Sequence, residues 1–271
     1  MDPQSSPVAR FGAHLRSSRE ARGWIQDDLA ARMGYSGTHI SAVETTRKSP
    51  TLRFAKRADA VFGGNQFEDM WRSLRSTSLL EGFPEYLCEE EAAKEVRMFE
   101  LGVVPGPLQT SAYATALAVS DVQRGLITSE QAKERVSFLE TRQRRLLEGP
   151  EAPLVYAVMD ESCLRRVVGG PEVMLGQFDH LEKLAAHPKV LIQTVPFSMG
   201  ELRPLLLPVV LLTMGDRSLV GYTESASRGY LERDEDLIRA WERAYDQLQA
   251  GALHPAASLD LIRAIRKELQ P

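Results

Sequence analysis

Gly37, Thr38, His39, Ser41 and Ala42 stand close together, and Arg47, Lys48, Arg53 and Lys56 follow them. The first set is small or hydrogen-bonding. On one face of a helix it leaves that helix free to enter the major groove and read base edges. Thr38, His39, Ser41 and Gly37 are therefore candidate base-reading positions. The second set is cationic and suits phosphate neutralisation, which adds affinity without sequence information.

Those side chains need a frame, and the residues around them supply one. Ala30 is small enough for a second helix to pack over it, and Gly34 can take the left-handed turn conformation that a Cβ disfavours. Ile40 and Val43, three apart, point back into a shared core with Leu29 and Met33. Ala30, Gly34, Ile40 and Val43 are the expected core of a helix-turn-helix. Phe11–Arg22 reads as a helix ended by Gly23, and Ile25–Met33 as the next, closed by Gly34. Ser36 caps a third that runs to Thr45. Pro50 and Thr51 open a fourth, with Leu52, Ala55, Val61 and Phe62 inward. Phe67, Met70, Trp71 and Leu74 mark a fifth. Glu44 is expected to pair with Arg16 across this bundle.

A second group of residues could do other chemistry. Asp160-Glu161 at a strand end could be a paired carboxylate site, with Cys163, His180 and His187 nearby. Asp160-Glu161 equally suits the positive end of a helix. The two histidines, seven apart, lack a third ligand at metal spacing. No nucleophile elbow or phosphate-binding glycine loop is present, so the reading is no enzyme, no metal and no cofactor. Cys88 and Cys163 read as reduced thiols.

Charge divides the 271-residue chain. Residues 1–75 carry 12 Lys+Arg against 8 Asp+Glu, whereas the rest of the chain is net acidic within an overall charge of −4. A basic head on an acidic body is expected when only the head meets a polyanion. Residues 1–9 read as a loose tail without the apolar stretch of a signal peptide. Leu205–Leu212, broken by Pro208, is too short to span a bilayer. Glu85–Phe99 reads as acidic and semi-helical, followed by a loop at Val103–Pro107 and a charged helix over Gln131–Leu147. Apolar runs at Leu154–Met159, Val190–Val195, Val209–Met214 and Leu219–Tyr222 predict about four strands. Helices are expected over Glu161–Val168, Pro171–His187, Glu232–Gln249 and Ala256–Leu269. Leu202–Leu212 reads as a buried strand with its lead-in, or alternatively as a partner-docking surface. The class is α+β. An all-α helix-turn-helix domain at 1–76 and a linker at 77–90 are expected to precede a mixed α/β domain at 91–271 that regulates, binds a partner and dimerises.

Phe11 to Phe62 resembles the Xre/λ-repressor-type helix-turn-helix family, with the matching run from Leu15 to Leu52. That resemblance implies that Gln26 touches phosphate or base, and that the third helix reads bases. It joins Gln26 to Arg47, Lys48, Arg53 and Lys56 as phosphate-contact candidates. The chain departs from the family at Ile25, where a capping Ser or Thr is usual, and at Gly37 and Ala42, where longer polar side chains are common. Phe99-Glu100, Val104–Thr110 with Tyr113, Asp160–Arg166, Val168–Pro171 and Gln193–Phe197 resemble the C-terminal domain of a WhiJ-like actinobacterial regulator family. That second resemblance implies an antitoxin-like cytoplasmic regulator of development or antibiotic production, paired with a small protein encoded nearby. Double-stranded DNA, a homodimer and that small protein are the expected partners, with no membrane. A domain that binds a small-molecule ligand, and an enzyme with a DNA-binding appendage, stay open as alternatives.

Overall fold

Helix-forming periodicity and turn chemistry set the first part of the chain, which divides into two compact units, Met1–Leu87 and Cys88–Pro271. The structure, a computed structural model, describes residues 7–48, 50–76, 80, 82–225 and 228–269. Of the expected loose tail at 1–9, residues 1–6 lie outside the described residues, and residues 7–9 are corrected: they begin the first helix, with Val8 and Ala9 buried. Part of the expected linker (77–79 and 81) and the side chains of Leu52 and Leu74 also lie outside the described residues.

In unit 1, α1 (Pro7–Glu20), α2 (Gln26–Met33), α3 (Gly37–Glu44), α4 (Leu52–Phe62) and α5 (Gln66–Ser76) follow in order. Their inner faces bury Phe11, Leu15, Leu29, Ala30, Met33, Ile40, Val43, Phe54, Ala55, Ala58 and Phe67 in one core. Caps set the boundaries. The Ser36 side chain accepts from His39 N at the start of α3, and Thr51 from Phe54 N at the start of α4. α2 opens on Ile25 without a side-chain cap, and Asp28 Oδ2 instead accepts from Ile25 N. Asp27 and Asp28 place negative charge at its positive end. Gly34 takes the left-handed conformation, φ 67° and ψ 43°, that ends α2. Arg57, from α4, donates to the carbonyls of Met33 and Gly34 and so satisfies the end of that helix.

Two contacts fix α3 against α1. A Cβ on Gly12 would lie 2.7 Å from the Val43 carbonyl oxygen, so α1 meets the end of α3 backbone to backbone. Below that contact, the Arg19 guanidinium holds the Glu44 carboxylate with two bonds, Nε–Oε1 at 2.6 Å and Nη2–Oε2 at 3.0 Å. Arg19 Nη1 also donates to Trp24 O. Both charged side chains are nearly excluded from solvent. Glu44 therefore pairs with Arg19 rather than with the expected Arg16, which bonds Glu20 on the surface. Arg19 lies four residues past buried Leu15 and eight past buried Phe11, on the face of α1 that looks inward.

Unit 2 is built on a six-stranded sheet in the order β3-β2-β1-β4-β5-β6. The strands are β1 (Glu95–Glu100), β2 (Leu154–Asp160), β3 (Val190–Val195), β4 (Val209–Thr213), β5 (Leu219–Glu224) and β6 (Gly229–Glu232). β1, β2 and β3 are parallel, while β4, β5 and β6 run antiparallel to their neighbours. The α+β class holds with six strands instead of about four. β1 corrects the semi-helical reading of Glu85–Phe99: that stretch is a helix, α6 (Phe83–Ala92), and then a central strand. Its Glu95, Arg97 and Glu100 had disguised it. Arg97 is accommodated by Glu95, Glu242 and Asp246 and by the ring of Tyr245. β6 occupies the start of the expected final helix pair, so α11 runs Glu235–Gly251 and α12 Pro255–Glu268.

Parallel neighbours need long crossovers. α7 (Ser111–Gln123) and α8 (Ser129–Leu147) connect β1 to β2. The short α9 (Ser162–Arg165) and α10 (Pro171–Ala185) connect β2 to β3. α7 is apolar on most sides and carries no clear amphipathic periodicity. One side of the sheet packs Phe99, Val158, Val195, Val209 and Leu211 against Ile238, Tyr245 and Leu248 of α11. The loop after β1 is held by buried amides: Gln177 accepts from Thr110 N and donates to Leu108 O, while Gln109 donates to Val104 O. Tyr113 Oη accepts from Val104 N.

Because Arg19 neutralises a buried carboxylate, Arg19→Ala leaves Glu44 without its cation. A loss of about 3–5 kcal/mol is expected, read as a lower denaturant midpoint for unit 1 in the full chain; an unchanged midpoint would mean the pair is solvated. Gly34→Val combines a β-branched residue at positive φ with a Cβ 2.5 Å from Arg57 Nη1. It should destabilise by about 1–3 kcal/mol, and an unaltered melting curve would contradict the turn geometry.

Candidate nucleic-acid interface

α3 is short, so its faces are easily assigned. Ile40 and Val43 are fully buried, and Ala30 on α2 is nearly so, where the two helices cross. On the outer side Thr38 is exposed and Ser41 half-buried. Arg47, just beyond the helix, is exposed and folds back over it: its Nε donates to Thr45 Oγ1 at 3.0 Å and its Nη2 to Ser41 Oγ at 3.4 Å. One base-reading candidate and one phosphate candidate thus share a small polar cluster.

Thr45 completes that cluster, and sequence reasoning missed it. Its hydroxyl donates to Ser41 O at 2.6 Å, and it is exposed four residues after Ser41, on the same face. That spacing was the available signal. The turn that follows is tight. Thr46 has φ 60°, a conformation rare for a β-branched residue, and its position lets Lys48 N return to Ala42 O. Lys48 is exposed beside Arg47, and Arg53 and Lys56 are exposed on α4.

Three other candidates are engaged within the fold. Gln26 is half-buried, and its amide donates to Glu44 Oε2 at 2.9 Å, so the buried Arg19–Glu44 pair also holds the first residue of α2. Gly37 sits against α2: a Cβ there would lie 1.8 Å from Asp27 Oδ1. The near atom is the end of the exposed Asp27 side chain, and the closest α2 backbone atom, Asp27 Cα, lies at 3.8 Å. His39 packs between rings, stacked on Phe54 at 5.5 Å with planes 10° apart and 4.6 Å from Tyr35. Burial first, and the nearby Lys48 charge second, pull its pKa below the usual histidine value, which favours the neutral ring.

The acidic and sulfur groups of unit 2 are arranged for structure. Asp160 accepts from the backbone and hydroxyl of Ser162 and pairs with Arg203 at 2.7 Å. Glu161 accepts from Phe197 N and pairs with Arg165. Burial pushes the Cys163 thiol up to about 12, far from a reactive thiolate. Burial, reinforced by Glu224, raises the Glu100 carboxyl to about 7. Burial lowers the pKa of His180, and His187 Nδ1 accepts from Lys189 N. Among the described residues, no group of three or more His, Cys, Asp or Glu is placed to hold a metal ion. No helix among them is long and apolar enough to cross a membrane.

The lead-in to β4 divides by burial. Leu205 is tucked in, while Phe197, Leu202, Leu206 and Leu207 are exposed. The expected buried strand is therefore confined to Val209–Thr213, and its approach is an exposed apolar loop.

Comparison with known families accords with this division. Residues 10–66 match the family described as a helix-turn-helix domain, which takes in all of α2 through α4 with most of α1 and the start of α5. Neither a curated protein nor a solved structure matches the chain. Residues 83–264 match a second family, from the start of α6 into α12 and over most of the chain's length. With its sheet and flanking helices inside that match and a helix-turn-helix ahead of it, the chain belongs to the family described as Domain of unknown function (DUF5753).

Proposed function

We propose that this chain is an Xre-type transcriptional regulator that binds double-stranded DNA through α3 and acts without catalysis. One observation carries the reading. α3 is locked on its inner side by Ile40, Val43 and the Arg19–Glu44 pair, while Thr38, Ser41, Thr45 and Arg47 lie on its open side. A rigid helix with a small polar outer face and flanking cations is the requirement for major-groove docking. Arg47, Lys48, Arg53 and Lys56 supply the phosphate contacts, and Thr38 and Ser41 the base contacts. Asp160, Glu161 and Cys163, whose partners and burial are structural, argue for a regulatory rather than a catalytic second unit.

The finer reading rests on the resemblance of the Val104–Tyr113 and Asp160–Pro171 motifs. The chain acts in an actinobacterial cytoplasm as a WhiJ-like, antitoxin-like homodimer in development or antibiotic production, and a small partner protein encoded nearby controls it. One short recognition helix covers few base pairs, and pairing two copies is the usual remedy.

Replacing Arg47 and Lys48 by Ala should weaken binding to all duplexes alike. It should lower the slope of log affinity against log salt by roughly 2, near one for each phosphate contact. A salt titration by fluorescence anisotropy measures this, and an unchanged slope would remove both residues from the interface. Tagged chain recovered from its native host should bring down a small protein at one-to-one stoichiometry; recovery of the chain alone would argue against partner control.

A further inference from the structure

The connection from β3 to β4 must cross part of the sheet. Val195 lies beside Asp160 in the ladder and Val209 beside Phe99, so β2 and β1 stand between the two strands. Residues 196–208 therefore pass over the carboxyl ends of β2 and β1, about 14 Å of sheet. This crossing displays large apolar side chains. Leu202 is 78% exposed, Leu206 74%, Leu207 61% and Phe197 55%. Single exposed leucines are ordinary, but four large apolar groups on one short segment are not.

Their exposure is built in, because the chain that carries them is anchored along its length. Phe197 N donates to Glu161 Oε2 at 2.8 Å, and Arg203 pairs with Asp160 at 2.7 Å. Leu205 is buried with Phe99 and Val158, and Met199 packs against the same cluster. Thr223 Oγ1 donates to Pro208 O at 2.7 Å. Between the first two anchors Gly200 takes φ 55° and ψ −130°, a conformation that a Cβ strongly disfavours. Asp160 and Glu161, at the end of β2, thus hold the segment in place while its outer side chains stay in water. A display fixed in this way loses little entropy when it is covered.

We propose that two copies of the chain meet at this segment, apolar face against apolar face about a two-fold axis. The four side chains expose on the order of 500 Å² per copy, near the upper end of what a monomer leaves in one patch. Covered on both copies, that is about 1,000 Å², the size at which a specific interface begins. Pro204 and Pro208, half-buried beside the leucines, add to the area. Charge points to the same occupant. From residue 197 to residue 208 only Glu201 and Arg203 are ionisable, and Arg203 is engaged with Asp160. Identical faces with one such carboxylate each repel little, and a partner selected by charge finds little to recognise. A two-fold dimer uses the same patch on both copies, so each supplies the apolar surface that the other needs. The inference rests on the homodimer proposed above and assigns its surface.

Sedimentation equilibrium of the full chain should show a dimer. Leu202→Glu with Leu206→Glu places four carboxylates in the covered face, and should raise the dimer dissociation constant by about 100-fold or more. Both positions are exposed, so the circular dichroism spectrum should not change. Leu126→Glu, at a leucine 66% exposed between α7 and α8, should leave the dimer intact. Mixing the paired glutamate variant with Leu202→Lys/Leu206→Lys should give a dimer that neither variant forms alone. A monomeric wild type, a dimer indifferent to the paired glutamate substitution, an equal loss with Leu126→Glu, or oppositely charged variants that do not combine would overturn the proposal. Binding to a random-sequence duplex at low salt keeps the two readings apart. A dimer that depends on this segment in a chain that ignores DNA would count against the regulator alone. A DNA-binding chain whose dimer ignores the segment would count against this surface alone.

Discussion

A buried ion pair governs unit 1. Arg19 and Glu44 are removed from water together, and their charge would be expensive to bury unless nearly every donor and acceptor found a partner. Arg19 uses Nε and Nη2 on Glu44 and Nη1 on Trp24 O, and Glu44 takes a third bond from Gln26. One ion pair thus ties α1, the loop before α2, the first residue of α2 and the last of α3. Gly12 lets α1 approach the same end of α3 closely enough for the pair to form. The attitude of α3 is the product of these contacts, and its outer face follows from that attitude.

The same arrangement explains departures from the usual pattern. Gly37 lies beside the exposed Asp27 side chain at the start of α2. Ile25 can replace a capping hydroxyl because Asp28 accepts its backbone N–H and acidic residues fill the first turn. His39 is held by Phe54 and Tyr35 as part of the core's rim. On the outer side of α3 stands a compact polar face of Thr38, Ser41 and Thr45, with Arg47 clasped over it. Such a face suits close approach of the helix backbone more than long-armed base contacts.

In unit 2 the motif that carries the family resemblance is structural. Gln109, Thr110 and Tyr113 enter the hydrogen bonds that fix the loop after β1, with Gln177 and Gln143 reaching in from neighbouring helices. Gln177 is fully buried and makes both of its bonds to backbone, so the loop is shaped by satisfied amides. The Glu90 carboxylate, equally buried, is met by Arg142 and Arg145 of α8. Buried polar groups that meet two partners each, as Gln177 and Glu90 do, help give the helices of the unit defined positions on the sheet.

The sequence alone determined the helices of unit 1, their caps and the small and aliphatic residues at the α2–α3 crossing. Each of these is a local rule: 3.6-residue periodicity, a capping hydroxyl, a glycine at positive φ. It determined the apolar strands β2 to β5 by the same means. Tertiary structure decided what depends on distant partners. β1 is central although half its residues are polar, because Glu242 and Asp246 arrive from far along the chain to meet Arg97. β6 is a strand because β5 bonds to it, and nothing in its own few residues announces that. Gln26, Gly37 and His39 are candidate DNA contacts by their place in the sequence, and only the tertiary structure adds that Glu44, Asp27 and Phe54 lie beside them.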